Sequence, residues 1–417
     1  LERRLDELRD AQVENETDFE ADHEYQSPRW DGPKTFPEKL VIVGGGPAGM
    51  AAAIYAARAG LYPLVIAPSM GGQLQGKGVE VENYPGMWNA TGPAVIAAMR
   101  EQAAHFGAVF EDDVVRAVVV DRDPMHEYSG TLKPIQIFTN ETGTISTHSL
   151  IVATGAEANW LNVKGEWELR GGGVSSCAVC DGFLFAHKDV LIVGGGDAAM
   201  EDALVLARTS KSVTVIHRRD KFRASKVLAD RVLNHPIITV VWNTTVQEIL
   251  GKNLEPTDDE ENVDMDQAQV VSGAVLRDVN SGETRKIACD AVFIAIGHTP
   301  ATSFLKGVVD FDPNHPGYIQ VGQGSTHTSV KGIFAAGDVS DAVYRQAITS
   351  AGSGAAAALD AERFLSEYGL GNEEAELEAE LMADLLMDVR PTESYNVYDD
   401  AGGRMEGMKE STMASEL

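Results

Sequence analysis

Two stretches of this chain combine an apolar strand, a glycine-rich turn and a helix, and they constrain the fold more than any other feature. The strand 40–43 leads into the turn 44–49 (Gly-Gly-Gly-Pro-Ala-Gly), and the strand 189–193 leads into the turn 194–199 (Gly-Gly-Gly-Asp-Ala-Ala). In such a unit the glycines permit a tight turn, a close approach of the backbone to a pyrophosphate, and close packing of helix on strand. Helix amides then face the phosphates. The sequence therefore predicts an α/β protein with two Rossmann-like dinucleotide-binding units.

A pair of cysteines lies between the two turns. Cys177 and Cys180 are separated by two residues, and Asp181 follows directly. Two thiols at this spacing can close a small disulfide ring and act as a redox couple. Half of a zinc site is the alternative, but zinc usually takes four ligands. The chain has one further cysteine, Cys289, which begins an apolar strand and is predicted to be buried. A redox-active dithiol is favoured, and no metal site is expected.

Positively charged residues follow the next strand of the second unit. They are His217, Arg218 and Arg219, with Arg223 one turn later. An acid at this position selects NAD, whereas cations suit the 2′-phosphate of NADP. A surface basic cluster is the alternative. In a chain of net charge -29, a local cluster of cations at this place favours the phosphate site.

An acid follows another predicted strand at its carboxyl end. Asp338 is placed there like an acceptor for a ribose or ribityl hydroxyl, with a helix N-cap as the alternative. Two dinucleotide turns and one dithiol imply an electron relay. Because hydride transfer and thiol–disulfide exchange do not couple directly at useful rates, FAD is expected at the first turn. Asp181 is the nearest carboxyl that can protonate a leaving thiolate, and capping the next turn is its alternative role.

Composition excludes several classes of function. The net charge of -29 would repel nucleic acid, and no run of 18 apolar residues exists to cross a membrane. Three cysteines in 417 residues are too few for a disulfide framework, which fits a reducing compartment. The chain is predicted to be cytoplasmic. It begins at Leu1, and a leader removed before this residue would allow an organelle matrix or stroma instead.

The order of these motifs resembles the low-molecular-weight, NADPH-dependent thioredoxin reductases, over roughly residues 37–370. The resemblance is carried by the two turns, the cysteine pair and the arginine cluster, and by further motifs: 71–74 (GGQL), 82–86 (ENYPG), 153–155 (ATG), 295–300 (AIGHTP), 334–339 (FAAGDV) and 345–347 (RQA).

The resemblance implies how the chain is divided. An FAD domain is made of the segments 37–155 and 289–370, and an NADPH domain, 156–288, is inserted between them and carries the cysteines. An acidic arm, 1–36, and an acidic tail, 371–417, flank this core. The NADPH domain is expected to rotate about hinges near 155–158 and 287–290, because its cysteines and its nucleotide turn must reach the same flavin in turn.

The resemblance also implies the activity, a homodimer and the site residues. NADPH reduces FAD, FAD reduces the Cys177–Cys180 disulfide, and this dithiol reduces a separate thioredoxin. By the same resemblance Cys180 lies next to the flavin, Cys177 attacks thioredoxin, and Asp181 donates a proton. Around the first turn the cofactor-binding residues are Gly44, Gly46, Pro47, Ala48, Gly49, Gly72, Gln73, Leu74, Asn83, Ala153, Thr154, Gly155, Gly337, Asp338, Arg345, Gln346 and Ala347. The remaining ones are Gly194, Gly196, Asp197, Ala198, Ala199, His217, Arg218, Arg219, Arg223, Ile296 and Gly297.

Three other functions share part of this pattern. A flavin reductase for another disulfide protein would use the same relay. A flavoprotein fed by ferredoxin would not need the arginine cluster. A redox sensor without turnover would not need the intact cysteine pair with Asp181. The sequence therefore favours the reductase.

Overall fold

The computed structural model describes residues 31–34, 36–68, 72–75, 80–87, 90–121, 132–253 and 269–371. Most of the predicted acidic arm and the acidic tail beyond residue 371 lie outside the described residues. So does most of the acidic insertion between 252 and 268.

At both glycine turns a strand is followed by a helix and then by a further strand, as the two strand–turn–helix units predict. The helices are α1 (Pro47–Arg58), α2 (Gly92–His105), α3 (Ala178–Asp181), α4 (Asp197–Leu206), α5 (Lys226–Leu233) and α6 (Ala347–Glu367), with short 3-10 turns at Gly72–Gln75, Gly182–Phe185, Ser303–Leu305 and Gly337–Val339. The strands are β1 (Glu38–Val43), β2 (Leu64–Ile66), β3 (Glu80–Val81), β4 (Ala90–Thr91), β5 (Val109–Glu111), β6 (Val115–Val119), β7 (Ile135–Thr139), β8 (Thr144–Val152), β9 (Ala156–Ala158), β10 (Val174–Ser175), β11 (Asp189–Gly194), β12 (Ser212–Ile216), β13 (Ile238–Val241), β14 (Thr244–Asn253), β15 (Gln269–Asp278), β16 (Thr284–Ala288), β17 (Ala291–Ala295), β18 (His298–Pro300) and β19 (Ile333–Ala335).

The first nucleotide unit is built on a seven-stranded sheet in the order β5-β2-β1-β8-β7-β6, with β19 also paired to β8. The strands β5, β2, β1, β8 and β19 run parallel, whereas β7 pairs antiparallel with both β8 and β6. In β1, Leu40 and Ile42 face the core formed with α1 and α6, while Val41 and Val43 face the opposite core. Burial on both faces explains why this strand is apolar at every position from Leu40 to Val43.

The second nucleotide unit is a five-stranded parallel sheet in the order β10-β17-β11-β12-β13. One face packs on α4 and α5, and the other packs on the antiparallel sheet β14-β15-β16. The α/β fold with two such units, predicted from the glycine turns, is confirmed.

One strand lies in a different sheet from the one that the sequence predicted. The predicted boundary at 288 and 289 assigned β17 to the first domain, but β17 pairs in parallel with β11 of the second sheet. A short apolar strand that is buried on both faces carries no sequence signal for which sheet it joins. The chain instead crosses back after β17, where β18 pairs with β9 in a two-stranded ribbon.

The first glycine turn is held by close backbone packing. Gly44 has a φ of 121°, and a Cβ placed on it would lie 2.2 Å from the carbonyl oxygen of Ala153. A Cβ on Gly49 would lie 1.9 Å from the carbonyl oxygen of Gly44. Both positions therefore require glycine for steric reasons. Pro47 begins α1, where its missing N–H removes no helix hydrogen bond.

Candidate active site

The two cysteines of the predicted dithiol are joined in a disulfide, Cys177–Cys180. Strand β10 leads to this pair, and Cys177 caps the N-terminus of the one-turn helix α3. The Cys177 sulfur accepts a hydrogen bond from the amide of Cys180, with 3.1 Å between the two atoms. Such an amide would stabilise a thiolate at Cys177 in the reduced state.

The carboxyl group of Asp181 is held beside the disulfide by Ser175. The hydroxyl of Ser175 donates to Asp181 and also accepts the amide N–H of Cys177, at 3.0 Å. Burial raises the pKa of Asp181, and the hydrogen bond from Ser175 partly offsets this by lowering it. Asp181 therefore retains a proton to a higher pH than an exposed carboxyl, as a proton donor requires.

The disulfide faces residues of the first nucleotide unit. The sulfur of Cys180 lies 3.8 Å from the side-chain oxygen of Gln346, which begins α6 as its N-cap. The same oxygen accepts a hydrogen bond from Asn83, at 3.4 Å. The structure thus brings Cys180 next to two of the residues that the sequence predicted to contact FAD.

A second group of predicted FAD residues meets at the carboxyl end of β19. Asp338 accepts a hydrogen bond from Ser350, at 2.9 Å, and from the Gln73 amide, at 3.4 Å. Gln73 also donates to the carbonyl of Ala156 in β9. Burial raises the pKa of Asp338, the hydrogen bond from Ser350 lowers it, and the charge of Asp341 raises it further. A half-buried carboxyl beside the turn before α1 suits a hydroxyl-rich ligand.

Arg345 links this first unit to the connecting ribbon. It adopts the left-handed conformation, with a φ of 49°, and its guanidinium donates to Nδ1 of His298 over 2.7 Å. Burial, and then the charge of Arg345, lower the pKa of His298 to about 4. His298 is therefore neutral near pH 7 and can accept this hydrogen bond.

The predicted phosphate cations lie on one loop of the second unit. Arg218, Arg219 and Arg223 are exposed, and among the described residues they form no ion pair. His217 differs from the prediction, because it is buried and both of its ring nitrogens face backbone carbonyls, those of Gly194 and Lys221. No ring nitrogen of His217 remains for a phosphate.

The glycines of the second turn precede α4, whose N-cap Gly196 offers no side-chain hydrogen bond to the helix amides. Those amides are therefore open to an anion. Ala199, at the third glycine position, is fully buried, with its Cβ near the place where a side chain on Gly194 would lie. Gly297 has a φ of 99° and its carbonyl accepts the amide of Asn159 in the connection after β9.

Sequence reasoning missed three polar residues of the site. They are Ser175 beside Asp181, Ser350 beside Asp338 and His298 beside Arg345. Ser175 lies six residues before Asp181, and His298 lies within the motif 295–300. Ser350 is 12 residues beyond Asp338, so only the folding of α6 brings the two side chains together. Cys289 is buried as predicted, and burial, with the charges of Asp290 and Asp189, raises the pKa of its thiol to about 12.

The fold and the site together define an oxidoreductase with two nucleotide-binding units and a redox disulfide. A family model described as pyridine nucleotide-disulphide oxidoreductase matches residues 38–354. The chain is 43% identical over 331 residues to a thioredoxin reductase of Rickettsia typhi, covering 79% of this chain and 98% of the relative. It is 44% identical to a thioredoxin reductase of Streptomyces clavuligerus, covering 78% and 94%.

Solved structures agree with the sequence comparisons. A thioredoxin reductase from Giardia duodenalis superposes with a TM-score of 0.69 at 37% identity, covering 79% of this chain and 98% of that one. One from Streptococcus pyogenes MGAS5005 superposes with a TM-score of 0.68 at 35% identity, with the same coverage. The chain belongs to the pyridine nucleotide-disulphide oxidoreductase family and, within it, to the thioredoxin reductases, which are flavoprotein oxidoreductases. Among the described helices, none is long and apolar enough to cross a membrane.

Proposed function

We propose that this protein passes electrons from NADPH, through FAD and the Cys177–Cys180 disulfide, to the disulfide of a separate thioredoxin. The observation that carries the proposal is the position of the disulfide. It lies in the second unit, yet Cys180 contacts Gln346 of the first. A disulfide placed where the two nucleotide units meet is suited to receive electrons from one and to pass them out of the protein.

The residues of the first unit fit FAD. The turn 44–49 leaves the backbone at Gly46 open, with nothing within 4 Å of where its Cβ would be. The N-terminus of α1 has no side-chain cap, so its amides can face a pyrophosphate. Asp338 and Gln73 then supply an acceptor and a donor for hydroxyl groups. When bound, FAD supplies a two-electron relay between a nicotinamide and a disulfide.

The residues of the second unit fit NADPH. The open N-terminus of α4 suits the pyrophosphate, and the exposed guanidinium groups of Arg218, Arg219 and Arg223 suit a 2′-phosphate. The absence of an acid at the end of β12, where Arg218 and Arg219 follow His217, argues against NAD.

The thiols and Asp181 carry the exchange step. One thiolate attacks a sulfur of the thioredoxin disulfide, and a mixed disulfide forms as a thioredoxin thiolate leaves. The second thiolate then attacks the mixed disulfide, which restores Cys177–Cys180 and releases the other thioredoxin sulfur. Asp181, whose pKa is raised by burial, donates a proton to a departing thiolate.

An apolar surface next to the disulfide suits a protein acceptor. Val179, Phe183 and Leu184 are 61%, 49% and 58% exposed, and all three lie within four residues of Cys180. Exposed apolar side chains grouped beside a reactive site mark a place where another protein docks. A relative from Mycobacterium leprae named "Bifunctional thioredoxin reductase/thioredoxin", 44% identical over 332 residues, supports thioredoxin as that protein.

The second unit rotates during turnover, in this proposal. Here the disulfide faces the first unit, so a nicotinamide on the same small sheet must reach the flavin in a different orientation. The ribbon of β9 and β18 contains both chain crossings, so the hinges lie near 155–158 and 296–300. A reducible chemical crosslink between the units should therefore slow flavin reduction by NADPH, followed as loss of flavin absorbance, and cleavage should restore it. Unchanged flavin reduction in the crosslinked protein would contradict the rotation.

The homodimer stays a prediction. A surface groove lined by Tyr55, Met99 and Ala355 of the first unit is available for self-association. Sedimentation velocity over a range of concentrations tests it, and a monomer at every concentration would refute it.

Replacement of the cysteines tests the proposed function directly. Cys177→Ser should retain flavin reduction by NADPH and lose NADPH-dependent reduction of every thioredoxin in a panel. Cys289→Ala is the matched control, since this third cysteine is buried and outside the site, and it should retain turnover. Thioredoxin reduction by Cys177→Ser at the wild-type rate, or none by the wild type with any thioredoxin, would refute the proposal.

A further inference from the structure

The dithiol follows the shortest strand of the second sheet. Strand β10 consists of Val174 and Ser175 and pairs with β17 at the edge of that sheet. Strands of this length are shorter than usual and form few ladder hydrogen bonds. Ser175 nevertheless holds both the carboxyl of Asp181 and the amide of Cys177. The placement of the dithiol therefore depends on what fastens β10 from outside the sheet.

The segment before β10 is a compact loop that begins where the ribbon of β9 and β18 ends. The ribbon closes at Asn159, whose amide donates to the carbonyl of Gly297. The loop 160–170 follows, and its end bonds directly to β10, since the amide of Val174 donates to the carbonyl of Leu169 over 3.0 Å. Compact loops of this kind are frequently functional. This one joins the ribbon to the strand that leads to the dithiol.

A stack of side chains closes the loop. The guanidinium carbon of Arg170 lies 3.5 Å from the ring centroid of Trp160 and 4.3 Å from that of Trp167. A cation within about 6 Å of such a centroid is attracted to the ring. The Nε of Arg170 is buried and has no hydrogen-bond partner among the described residues, so the ring contacts hold this group in place. Because Trp160 begins the loop and Arg170 forms a β-bridge with Val174, the stack brings the two ends of the loop together.

A buried carboxylate fixes the inside of the loop. Glu166 is 2% exposed, and its two oxygens accept the amide of Leu161 over 2.8 Å and the amide of Asn162 over 2.6 Å. Asn162 has a φ of 56°, a left-handed conformation that persists only where its surroundings support it. The hydrogen bonds to Glu166 supply that support immediately after the ribbon.

Backbone contacts fasten the loop to the antiparallel sheet β14-β15-β16. The amide of Ile249 donates to the carbonyl of Lys164 over 2.9 Å, and the amide of Val271 donates to the carbonyl of Gly172 over 2.8 Å. A Cβ on Gly165 would lie 2.0 Å from the carbonyl oxygen of Ile249. The second glycine turn, in contrast, follows β11, whose neighbours are β17 and β12. The loop therefore supports the dithiol strand and not the nucleotide turn.

We propose that Arg170 is a positioning residue for electron transfer from the flavin to the disulfide: by stacking on Trp160 and Trp167 it fixes β10, and with it the dithiol, to the hinge ribbon. The role rests on the electron relay proposed above. In this step the S–S bond breaks as the disulfide takes up two electrons and two protons, and the flavin loses two electrons. The protons come from the reduced flavin and from the solvent. Arg170 acts on this step through the strand.

The test compares the two steps that fill the dithiol with electrons. Flavin-loaded enzyme is mixed without oxygen with one equivalent of NADPH, and stopped-flow absorbance follows flavin reduction and then its reoxidation, while alkylation counts the thiols formed. Arg170→Met keeps the length of the side chain but removes its charge and planar group. Reoxidation should be about tenfold slower in this variant, since a small displacement of a reacting group is costly. Flavin reduction should keep the wild-type rate.

Lys164→Met is the matched control for this measurement. It removes a cation from the same loop, but this cation is exposed and pairs with Glu248 on the surface. Both rates should therefore equal those of the wild type.

Hydrogen exchange gives a readout that does not depend on turnover. In Arg170→Met, a peptide that contains β10 should exchange faster than in the wild type, because the loop no longer holds this strand. A peptide that contains β11 should exchange as in the wild type. Faster exchange in both peptides would show a general loss of stability and would overturn the positioning role.

A second variant keeps the test decisive if Arg170→Met does not fold. The ring of Trp167 is 61% exposed, so Trp167→Leu removes one partner of the stack and leaves the core intact. It should slow reoxidation about threefold. A wild-type ratio of the two rates in the variants that fold, or an equal slowing of both steps, overturns the role of Arg170. A wild type whose flavin is reduced by NADPH but whose disulfide yields no thiols contradicts the proposed relay instead.

Discussion

At the scale of single residues, Asp181 is the group whose surroundings most clearly fit a chemical task. Burial raises its pKa while Ser175 holds its carboxyl in place. Asp181→Asn should lower the rate of thioredoxin reduction by about a hundredfold, since a positioned acid contributes on this scale. Flavin reduction by NADPH should be unaffected. Stopped-flow measurement of the two half-reactions checks this, and an equal loss in both would count against the proton-donor role.

Ser175→Ala supplies the matched variant. The hydrogen bond from Ser175 lowers the pKa of Asp181, so its removal should raise that pKa further. Because the acid works while protonated, the exchange rate falls as pH rises through this pKa. The fall should move to higher pH in Ser175→Ala, in a pH profile of the exchange half-reaction. A pH profile with the wild-type midpoint would show that Ser175 does not affect the pKa of Asp181.

The sequence was informative about residues wherever chemistry and spacing are local. The cysteine pair, both glycine turns and the three arginines were all predicted, and each lies where its strand or helix places it. The surroundings of His217 were not predicted. In the sequence, a histidine beside arginines is naturally interpreted as a further cation. Its burial depends on Phe222 and on Trp242, which lies 25 positions further along the chain.

At the scale of elements, the first nucleotide turn depends on the packing of α1 against α6. A Cβ on Gly354 of α6 would lie 2.0 Å from the carbonyl oxygen of Ala48 in the first turn of α1. Gly354→Ala should push the helices apart, cost about 1–3 kcal/mol of stability and weaken FAD retention. Gly352→Ala is the matched control, with nothing within 4 Å on the same helix, and should be neutral or stabilising.

Thermal unfolding and the FAD-to-protein absorbance ratio measure both effects. Equal behaviour of the two variants would show that α6 does not support the turn through Gly354.

Element types were predictable from period and glycine position, but strand order was not. The apolar strand β17 fits either sheet by its pattern, and only its pairing with β11 and β10 places it in the second one.

At the scale of the whole molecule, the two units meet around Arg345 of the first. Its charge acts on His298 in the connecting ribbon and on Asp202 in α4 of the second unit. Burial raises the pKa of Asp202 to about 6, and Arg345 only partly offsets this. Where the two units meet, the pKa of one carboxyl, Asp202, is therefore raised and the pKa of one histidine, His298, is lowered.

Asp202 should make the molecule less stable as pH rises. Its folded-state pKa of about 6 lies above the ordinary value of 3.8, so its contribution is present at low pH and is lost as pH rises through about 6. Asp202→Asn removes this loss. Its melting temperature relative to wild type should therefore increase between about pH 4 and about pH 7. This increase corresponds to a gain of about 2–3 kcal/mol in the free energy of unfolding relative to wild type. A constant difference across this range would contradict the burial of an ionising Asp202.

The contribution of His298 to stability depends on pH in the opposite direction. Its pKa is lowered to about 4 from 6.5, so its contribution is present near neutral pH and is lost as pH falls from 6.5 towards 4. His298→Gln should accordingly show its melting-temperature deficit near neutral pH and lose it in acid. Thermal melts of His298→Gln and of Asp202→Asn over the same pH range distinguish the contributions of the two side chains.

The most direct test of the relay counts electrons from end to end. Flavin-loaded enzyme is mixed with NADPH and an excess of oxidised thioredoxin, and NADPH consumed is compared with thioredoxin thiols formed. The account predicts two thiols for each NADPH, with no thiols from Cys177→Ser or from enzyme stripped of flavin. Thiols formed at the wild-type rate without flavin, or NADPH consumed without thiols, would contradict it.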